Sequence, residues 1–174
     1  MGPLTKNLVL AFTLMIGSMT CAAKAAEPTA TGLWEKLDDE GKPEGWFRIA
    51  EKNGTFEGQI VKMFPKPGED PTSWKCTKCE GDQKNAPVLG ITFIKGMKRS
   101  GLAYEDGKIL DPRDGSLYSA RMDLSPDNQQ LSVRGYLGIS LLGQTQTWKR
   151  LPDNAMQAEK PAAGTPQPAR AKAR

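Results

Sequence analysis

Cys76 and Cys79 are the side chains with the clearest chemical potential, because they form a Cys-x-x-Cys pair inside a long polar loop. In an exported protein such a pair is normally a structural disulfide. A redox-active dithiol is the first alternative, but that motif usually begins a helix, and no helical period follows Cys79. A zinc site is the second, and two thiolates alone leave its coordination incomplete. We therefore predict a disulfide and no metal site.

The chain contains no histidine, which excludes several classes of catalytic and metal sites. Ser-His-Asp and Cys-His catalysis, haem attachment through Cys-x-x-Cys-His and the zincin motif all require that residue. Asp111 and Asp114 are the nearest approach to a catalytic carboxylate pair, but aspartates beside Pro112 and Gly115 normally bond the backbone of a turn. The sequence thus identifies no catalytic residue, implies no cofactor, and favours a binding protein over an enzyme without excluding the latter.

Four aromatic and basic side chains are candidates for holding a small molecule: Trp46, Tyr118, Arg134 and Tyr136. Aromatic walls would hold an apolar body, and the Arg134 guanidinium would hold an anionic head group by paired hydrogen bonds. The direction of Arg134 stays open, because Leu131 and Val133 on the same strand present a more apolar face. If those two side chains point inward, Arg134 is a surface residue.

Short strands are the elements that would position these residues, since apolar residues alternate and no amphipathic helix is evident in the core. The dipeptides Asn53-Gly54 and Asp106-Gly107 are strong hairpin signals, and Asp111 to Gly115 is a further turn. The predicted strands, eight or nine in number, are Thr31–Leu37, Gly45–Glu51, Thr55–Phe64, Val88–Lys95, Gly101–Glu105, Lys108–Leu110, Ser116–Leu124, Gln130–Leu137 and Gln144–Leu151.

Two connections between these strands are more than tight turns. The polar loop from Pro65 to Pro87 holds both cysteines, and loops of this length are usually functional or disordered. Two interpretations are open, a disulfide-pinned lid at a barrel mouth and a stapled insertion. The apolar segment from Gly138 to Gly143 either plugs one end of the barrel or is an exposed patch.

Both ends of the chain differ in composition from its centre. Residues 1–25 are typical of a secretory signal peptide, with Lys6, an apolar run from Leu8 to Met19 and small residues at Ala23 and Ala25. Residues 152–174 are rich in Ala, Pro and basic residues and are predicted to be disordered. The domain therefore spans residues 27–151, and the mature protein is expected in the periplasm or secreted, with no transmembrane segment.

The positive charge of the chain belongs to these ends. The whole sequence has 24 Lys+Arg and 20 Asp+Glu. Without the two basic residues of the leader and the four basic and two acidic residues of the tail, 18 of each sign remain. A folded domain of balanced charge lacks the basic patch that nucleic-acid binding requires, so no nucleic-acid partner is predicted.

A meander of eight strands removes its exposed edges by closing into a barrel, and a β-sandwich with the same strand count is the alternative. The placement of Gly32-x-Trp34 on the first strand and Trp148-x-Arg150 on the last resembles the lipocalin-like (calycin) barrels. In those proteins an arginine packs on the tryptophan and closes the barrel floor. This resemblance implies an all-β, eight-stranded antiparallel barrel.

A more specific resemblance rests on the order of several short motifs: Cys76-x-x-Cys79, Pro87-Val-Leu-Gly90, Asp111-Pro112 with Gly115 and Tyr118, Arg134-Gly-Tyr-Leu-Gly138, and Gly143-Gln-Thr-Gln-Thr-Trp148. Together these motifs are similar to a family of short secreted bacterial proteins of unknown function with a lipocalin-like fold. The resemblance implies export and the barrel, and it implies no substrate or reaction.

Two functions of different classes follow from a barrel of this size. The first is binding of a small apolar or amphiphilic molecule inside it. The second is interaction with another cell-envelope component through the loops of a filled barrel. The volume of the interior separates the two, because a cavity of about 300 Å³ or more favours a ligand.

Overall fold

The computed structural model describes residues 27–158 with the exception of residues 140 and 142. Within them the chain forms eight antiparallel strands: β1 Gly32–Leu37, β2 Pro43–Lys52, β3 Thr55–Met63, β4 Thr92–Ser100, β5 Ala103–Leu110, β6 Leu117–Leu124, β7 Gln130–Tyr136 and β8 Gln144–Leu151. The predicted signal peptide and residues 159–174 of the predicted tail lie outside the described residues. Residues 152–158 include a one-turn helix, α1, Ala155–Ala158.

The eight strands close into one barrel in which each strand pairs with its neighbour in sequence. The seam is formed by β1 and β8, where Trp34 lies opposite Arg150 and Lys36 lies opposite Trp148. This closure confirms the predicted all-β barrel and excludes the β-sandwich alternative. No helix among the described residues has the length and the apolar character that crossing a lipid bilayer requires.

Alternation of side chains fills one end of the barrel with a packed core. The residues that share this core are less than 5% exposed and come from seven strands: Trp34, Ile49, Phe56, Met97, Tyr104, Met122 and Leu131. They lie at the end where the β2–β3, β4–β5 and β6–β7 turns are found. The segment before β1 covers this end, because the backbone N–H of Ala30 donates to the hydroxyl of Tyr104 at 2.8 Å.

One of the two predicted hairpin dipeptides differs from the structure. Asn53-Gly54 does form the β2–β3 turn, with both residues at positive φ. Asp106-Gly107 does not form a hairpin and lies within the single strand β5, where the pairing with β6 is irregular. Asp106 has a φ of 62° there. A β-bulge and a tight hairpin turn both use residues at positive φ. An Asp-Gly dipeptide therefore does not show by itself which of the two structures it forms.

The real β4–β5 turn lies at Gly101, and β4 begins four residues later than the predicted Val88–Lys95 and extends to Ser100. Charged residues continue this strand, and Lys98 and Arg99 are both exposed near its end although they point to opposite faces. They lie opposite Glu105 and Tyr104 of β5 in the strand register. The apolar Val88 and Ile91 belong to the preceding loop and are buried there. These buried apolar residues of the loop gave the hydrophobic pattern of a strand, although they do not belong to one.

Candidate functional site

The other end of the barrel contains a cavity of about 710 Å³. All eight strands contribute residues to its lining. The floor is formed by Phe47, Ile60, Phe93 and Trp148, the walls by Ile109, Tyr118, Val133, Gly135, Gln144 and Gln146, and the mouth by Lys36, Glu44, Asp111, Arg113 and Asp114. The connections β1–β2, β5–β6 and β7–β8 lie at this end. The barrel is therefore half filled and half hollow.

Aromatic rings separate the cavity from the packed core. The rings of Phe47 and Trp148 are stacked with their centroids 4.4 Å apart. Phe93 lies against Phe47 at 5.2 Å between centroids. Trp148 is only 1% exposed, so its burial anchors this floor. Such a surface contacts the apolar part of a ligand over a large area at low conformational cost.

Uncharged polar groups stand on the walls above this floor. Gln144 and Gln146 project inward from β8 on the same face as Trp148, and Tyr118 projects inward from β6. The Oε1 atom of Gln146 lies 3.5 Å from the indole Nε1 of Trp148. Gly135 of β7 carries no side chain into this space. The walls thus offer hydrogen-bonding amide and hydroxyl groups beside open volume.

The mouth of the cavity carries ion pairs. The Lys36 Nζ atom lies 2.6 Å from Glu44 Oε2. The Arg113 guanidinium donates to both carboxylate oxygens of Asp111, from Nε to Oδ1 at 2.9 Å and from Nη2 to Oδ2 at 2.6 Å. The hydrogen bonds from Arg113 and the positive charge of Lys36 lower the pKa of Asp111 against the opposing effect of its burial. The Asp111 carboxyl group therefore stays ionised near neutral pH.

Asp111 and Asp114 serve the turn between β5 and β6. Asp111 Oδ1 accepts from the backbone N–H of Arg113 at 3.0 Å, and Asp114 Oδ1 accepts from that of Ser116 at 2.9 Å. These contacts match the backbone role expected of aspartates beside proline and glycine. Within the described part of the chain, no group of three or more metal-ligating side chains is placed to hold a metal ion.

The four predicted ligand residues occupy different places. Tyr118 and Tyr136 line the cavity, Tyr136 at its mouth. Trp46 and Arg134 do not belong to the lining. The structure therefore brings two of the four together and replaces the other two with inward-facing neighbours.

Arg134 lies on the outer face because Leu131 and Val133, which alternate with it on β7, are buried inside the barrel. Its Nη1 atom donates to the Thr145 hydroxyl at 2.6 Å, and its Nη2 atom donates to the carbonyl oxygen of Leu141 at 2.9 Å. The predicted anionic-head anchor is thus absent from the cavity lining. Arg134 instead links β8 to the β7–β8 loop.

Trp46 stands on the outer face of β2, one position from the inward Phe47. Its indole Nε1 donates to Glu35 at 3.0 Å, and its ring meets the edge of Phe64 at 5.7 Å between centroids. The ammonium group of Lys62 lies 4.3 Å from the ring centroid. These neighbours cover Trp46 on the outer face of the barrel, so that it is only 6% exposed. A buried aromatic side chain on a strand therefore need not point into the barrel.

The sequence reasoning missed Phe47, Phe93 and Gln146 as cavity residues. Ile49 is buried two positions after Phe47, and period-two alternation from it would have placed Phe47 inside. Trp148 was predicted to close the barrel, and its ring forms part of the cavity floor. Gln146 follows from the same alternation along β8, although a polar residue gives no hydrophobic signal.

Gly32, Trp34 and Arg150 meet at the closed end. The Arg150 guanidinium carbon lies 4.1 Å from the centroid of the Trp34 ring, a cation–π geometry. A side chain at Gly32 would overlap the guanidinium nitrogen Nη1. The glycine therefore leaves the space that lets Arg150 reach over the tryptophan.

The loop between β3 and β4 contains the predicted disulfide between Cys76 and Cys79. Both cysteines are at most 1% exposed. The loop is folded on itself. The backbone N–H of Cys76 donates to the carbonyl oxygen of Ala86 at 2.9 Å, and the backbone N–H of Val88 donates to the carbonyl oxygen of Trp74 at 2.9 Å. No described residue of this loop lines the cavity. The loop packs beside the mouth and does not cover it as a lid.

Gly115 connects this loop to the mouth. A Cβ atom at Gly115 would overlap the carbonyl oxygen of Lys78, and Gly115 has a φ of 77°. The disulfide loop thus presses against the turn that holds Asp111 and Arg113 in the lining. The loop supports one wall of the mouth from behind.

We expect Gly115→Ala to destabilise the protein more than Gly41→Ala. Both glycines have a φ near 77°, so both substitutions carry the same backbone strain. A Cβ at Gly41 meets nothing within 4 Å, whereas at Gly115 it displaces the loop. Overpacking of this kind costs about 1–3 kcal/mol. Urea unfolding of the two variants measures the difference, and equal midpoints would show that the loop does not press on the turn.

Exposed apolar side chains stand at the same end of the barrel as the cavity. Leu117, Leu137, Ile139 and Leu141 are between 57% and 81% exposed. The described part of the Gly138–Gly143 segment is therefore an exposed patch, and it does not plug the barrel.

Comparison with known proteins supports the same fold. A solved structure, protein HP1028 from the human pathogen Helicobacter pylori, described as belonging to the lipocalin family, aligns with a TM-score of 0.60 and 21% sequence identity over 74% of this chain and 86% of that chain. This likeness concerns the fold alone. No curated protein matches the sequence significantly. Residues 32–150 match the family described as "Uncharacterized protein conserved in bacteria (DUF2147)", and the chain therefore belongs to this bacterial family.

Proposed function

We propose that this protein binds an apolar or amphiphilic small molecule in the cavity at the open end of its barrel. The observation that carries the proposal is the cavity itself, whose volume of about 710 Å³ falls in the range of about 300–1,000 Å³ typical of ligand sites. The alternative function, an interaction protein with a filled barrel, does not fit an interior that is hollow over one half.

The lining indicates how a ligand would be oriented. Its apolar body would rest on the stacked rings of Phe47 and Trp148, where contact with water is lost over a large area. Its polar part would face the hydroxyl of Tyr118 and the amides of Gln144 and Gln146. Sites of this kind combine an apolar surface with a few fixed polar groups.

The proposal includes export to the periplasm or beyond. The disulfide between Cys76 and Cys79 supports an oxidising compartment, since such bonds are rare in the cytosol. Fractionation of the source cells tests this part independently, and protein confined to the cytoplasmic fraction would contradict it.

A pair of neighbouring substitutions on β8 tests the cavity as the binding site. Gln146 lines the cavity, whereas Thr147, on the opposite face of the strand, does not belong to the lining. In Gln146→Trp the indole occupies the space above Trp148, so we expect the affinity for the uncharged fluorescent probe phenylnaphthylamine to fall at least about tenfold, which corresponds to about 1.4 kcal/mol. Fluorescence titration measures this affinity.

Thr147→Trp is the matched control, because it adds the same side chain to the opposite face of the strand. Its affinity for the probe is expected to stay within about twofold of the unsubstituted protein. Unfolding midpoints of both variants verify that each remains folded. Absence of probe binding by the unsubstituted protein, or equal loss in both variants, would contradict the proposal.

A further inference from the structure

We infer that the cavity selects ligands whose polar group is uncharged, so that a neutral amphiphile binds in preference to a fatty acid or another anion of similar body. This inference rests on the proposed function, and it names the class of ligand for the same site. It is carried by the pairing of the charged side chains in the lining and by the uncharged polar side chains on the walls.

The cations at the mouth are already engaged with carboxylates. Lys36 is paired with Glu44 at 2.6 Å, and Arg113 uses two of its guanidinium nitrogens on Asp111. An anionic head held by either cation would lie beside the carboxylate that already partners that cation. Repulsion between that carboxylate and the incoming anion offsets much of the attraction to the cation, so an anion gains little there.

The charged lining as a whole is not basic. Its ionisable groups are the two cations and three carboxylates, since Asp114 also lines the mouth. An incoming carboxylate or phosphate therefore meets a slightly negative opening. A cationic ligand gains little either, because Glu44 and Asp111 already face Lys36 and Arg113, and Asp114 accepts the backbone N–H of Ser116.

Three further side chains that line the cavity are polar without being charged. Tyr118, Gln144 and Gln146 offer a hydroxyl and two amides, which both donate and accept hydrogen bonds. A charge placed among them loses part of its hydration without gaining an ion pair from these three side chains, which is a net cost. An alcohol, an amide or a similar neutral group loses less hydration and recovers hydrogen bonds from the same three side chains.

Three pyrene probes with one apolar body and different head groups test this selectivity: pyrenebutanol, pyrenebutanoic acid and pyrenebutylamine. Fluorescence titration at neutral pH and moderate salt is expected to show the alcohol binding at least about tenfold more tightly than the acid, a difference of about 1.4 kcal/mol. The amine is expected to bind more weakly than the alcohol. The acid or the amine binding as tightly as the alcohol would overturn the inference while leaving the proposed function intact.

Binding of none of the three probes would count against the proposed function and this inference together. Loss of selectivity alone is thus distinguishable from loss of the site. Adding Gln146→Trp to the titration assigns the bound probe to the cavity, because that variant is expected to weaken all three probes.

A conservative substitution tests whether the paired charges cause the selectivity. Asp111→Asn retains the side-chain oxygen that accepts from the turn but removes the negative charge facing Arg113 and Lys36. The ratio of acid to alcohol affinity is expected to rise about tenfold, because this charge no longer opposes an anion. Asp106→Asn is the control, since Asp106 is 70% exposed, pairs with Lys98 and does not line the cavity. An unchanged ratio in Asp111→Asn would overturn the inference.

Discussion

Trp34→Ala is expected to lower the free energy of unfolding by about 3–5 kcal/mol, the range found when large buried aromatic residues are truncated. Trp34 is fully buried at the closed end of the barrel. Its indole N–H donates to the carbonyl of Ala30 at 2.8 Å, and Arg150 covers the ring. The substitution therefore leaves a cavity and removes the support for the segment that closes this end.

Trp74→Ala is the matched control, because it removes the same side chain from a site that is 37% exposed. Its cost is expected to stay below about 1 kcal/mol. Urea unfolding followed by circular dichroism measures both variants, with equal denaturant dependence as the check that only stability changed. A similar cost for the two tryptophans would contradict the role of Trp34 as the floor of the closed end.

Arg150→Met is expected to lower the free energy of unfolding by about 1.5–3 kcal/mol, the range for a hydrogen bond to a charged group. The Arg150 guanidinium donates to the carbonyl oxygens of Thr29, Thr31 and Asn128 at 2.6–2.9 Å. It thereby ties the segment before β1 and the β6–β7 turn to the last strand. Burial lowers the pKa of Arg150, and no carboxylate is among its hydrogen-bond partners in the described residues.

Two further variants interpret this result. Arg150→Lys is expected to recover only part of the loss, because an ammonium group cannot present the planar fork that reaches several carbonyls at once. Arg48→Met, at an exposed position of β2, is expected to change stability by less than about 0.5 kcal/mol. Thermal unfolding ranks the three, and a cost for Arg150→Met as small as for Arg48→Met would show that the closed end does not depend on this arginine.

The barrel could be predicted from sequence because its signals are local and repeated. Turn residues separate short alternating strands, and the Trp34 and Arg150 positions fall on the first and last of them, where closure brings them opposite each other. Asp106-Gly107 misled the prediction because positive φ serves a bulge as well as a turn. Turn residues and alternation therefore predicted the strands and their order better than the residues at which each strand begins and ends.

The cavity could not be predicted, because a hollow interior depends on the summed volume of side chains from opposite walls. Gly135 and Gln146 leave space that neither residue reveals by itself. The direction of Trp46 was equally hidden, since Lys62 and Phe64 bury it from the outside. The two ion pairs at the mouth, Lys36 with Glu44 and Arg113 with Asp111, are each local in sequence, but only closure of the barrel brings them to one opening.

Native mass spectrometry of the protein purified from its own cell envelope tests the central claim of a ligand-binding cavity most directly. The cavity predicts a discrete small-molecule adduct on the folded protein, retained in Thr147→Trp and lost in Gln146→Trp. If the folded protein carries only its bare polypeptide mass and its spectrum is unchanged by Gln146→Trp, the cavity does not hold a ligand and the proposed function is contradicted.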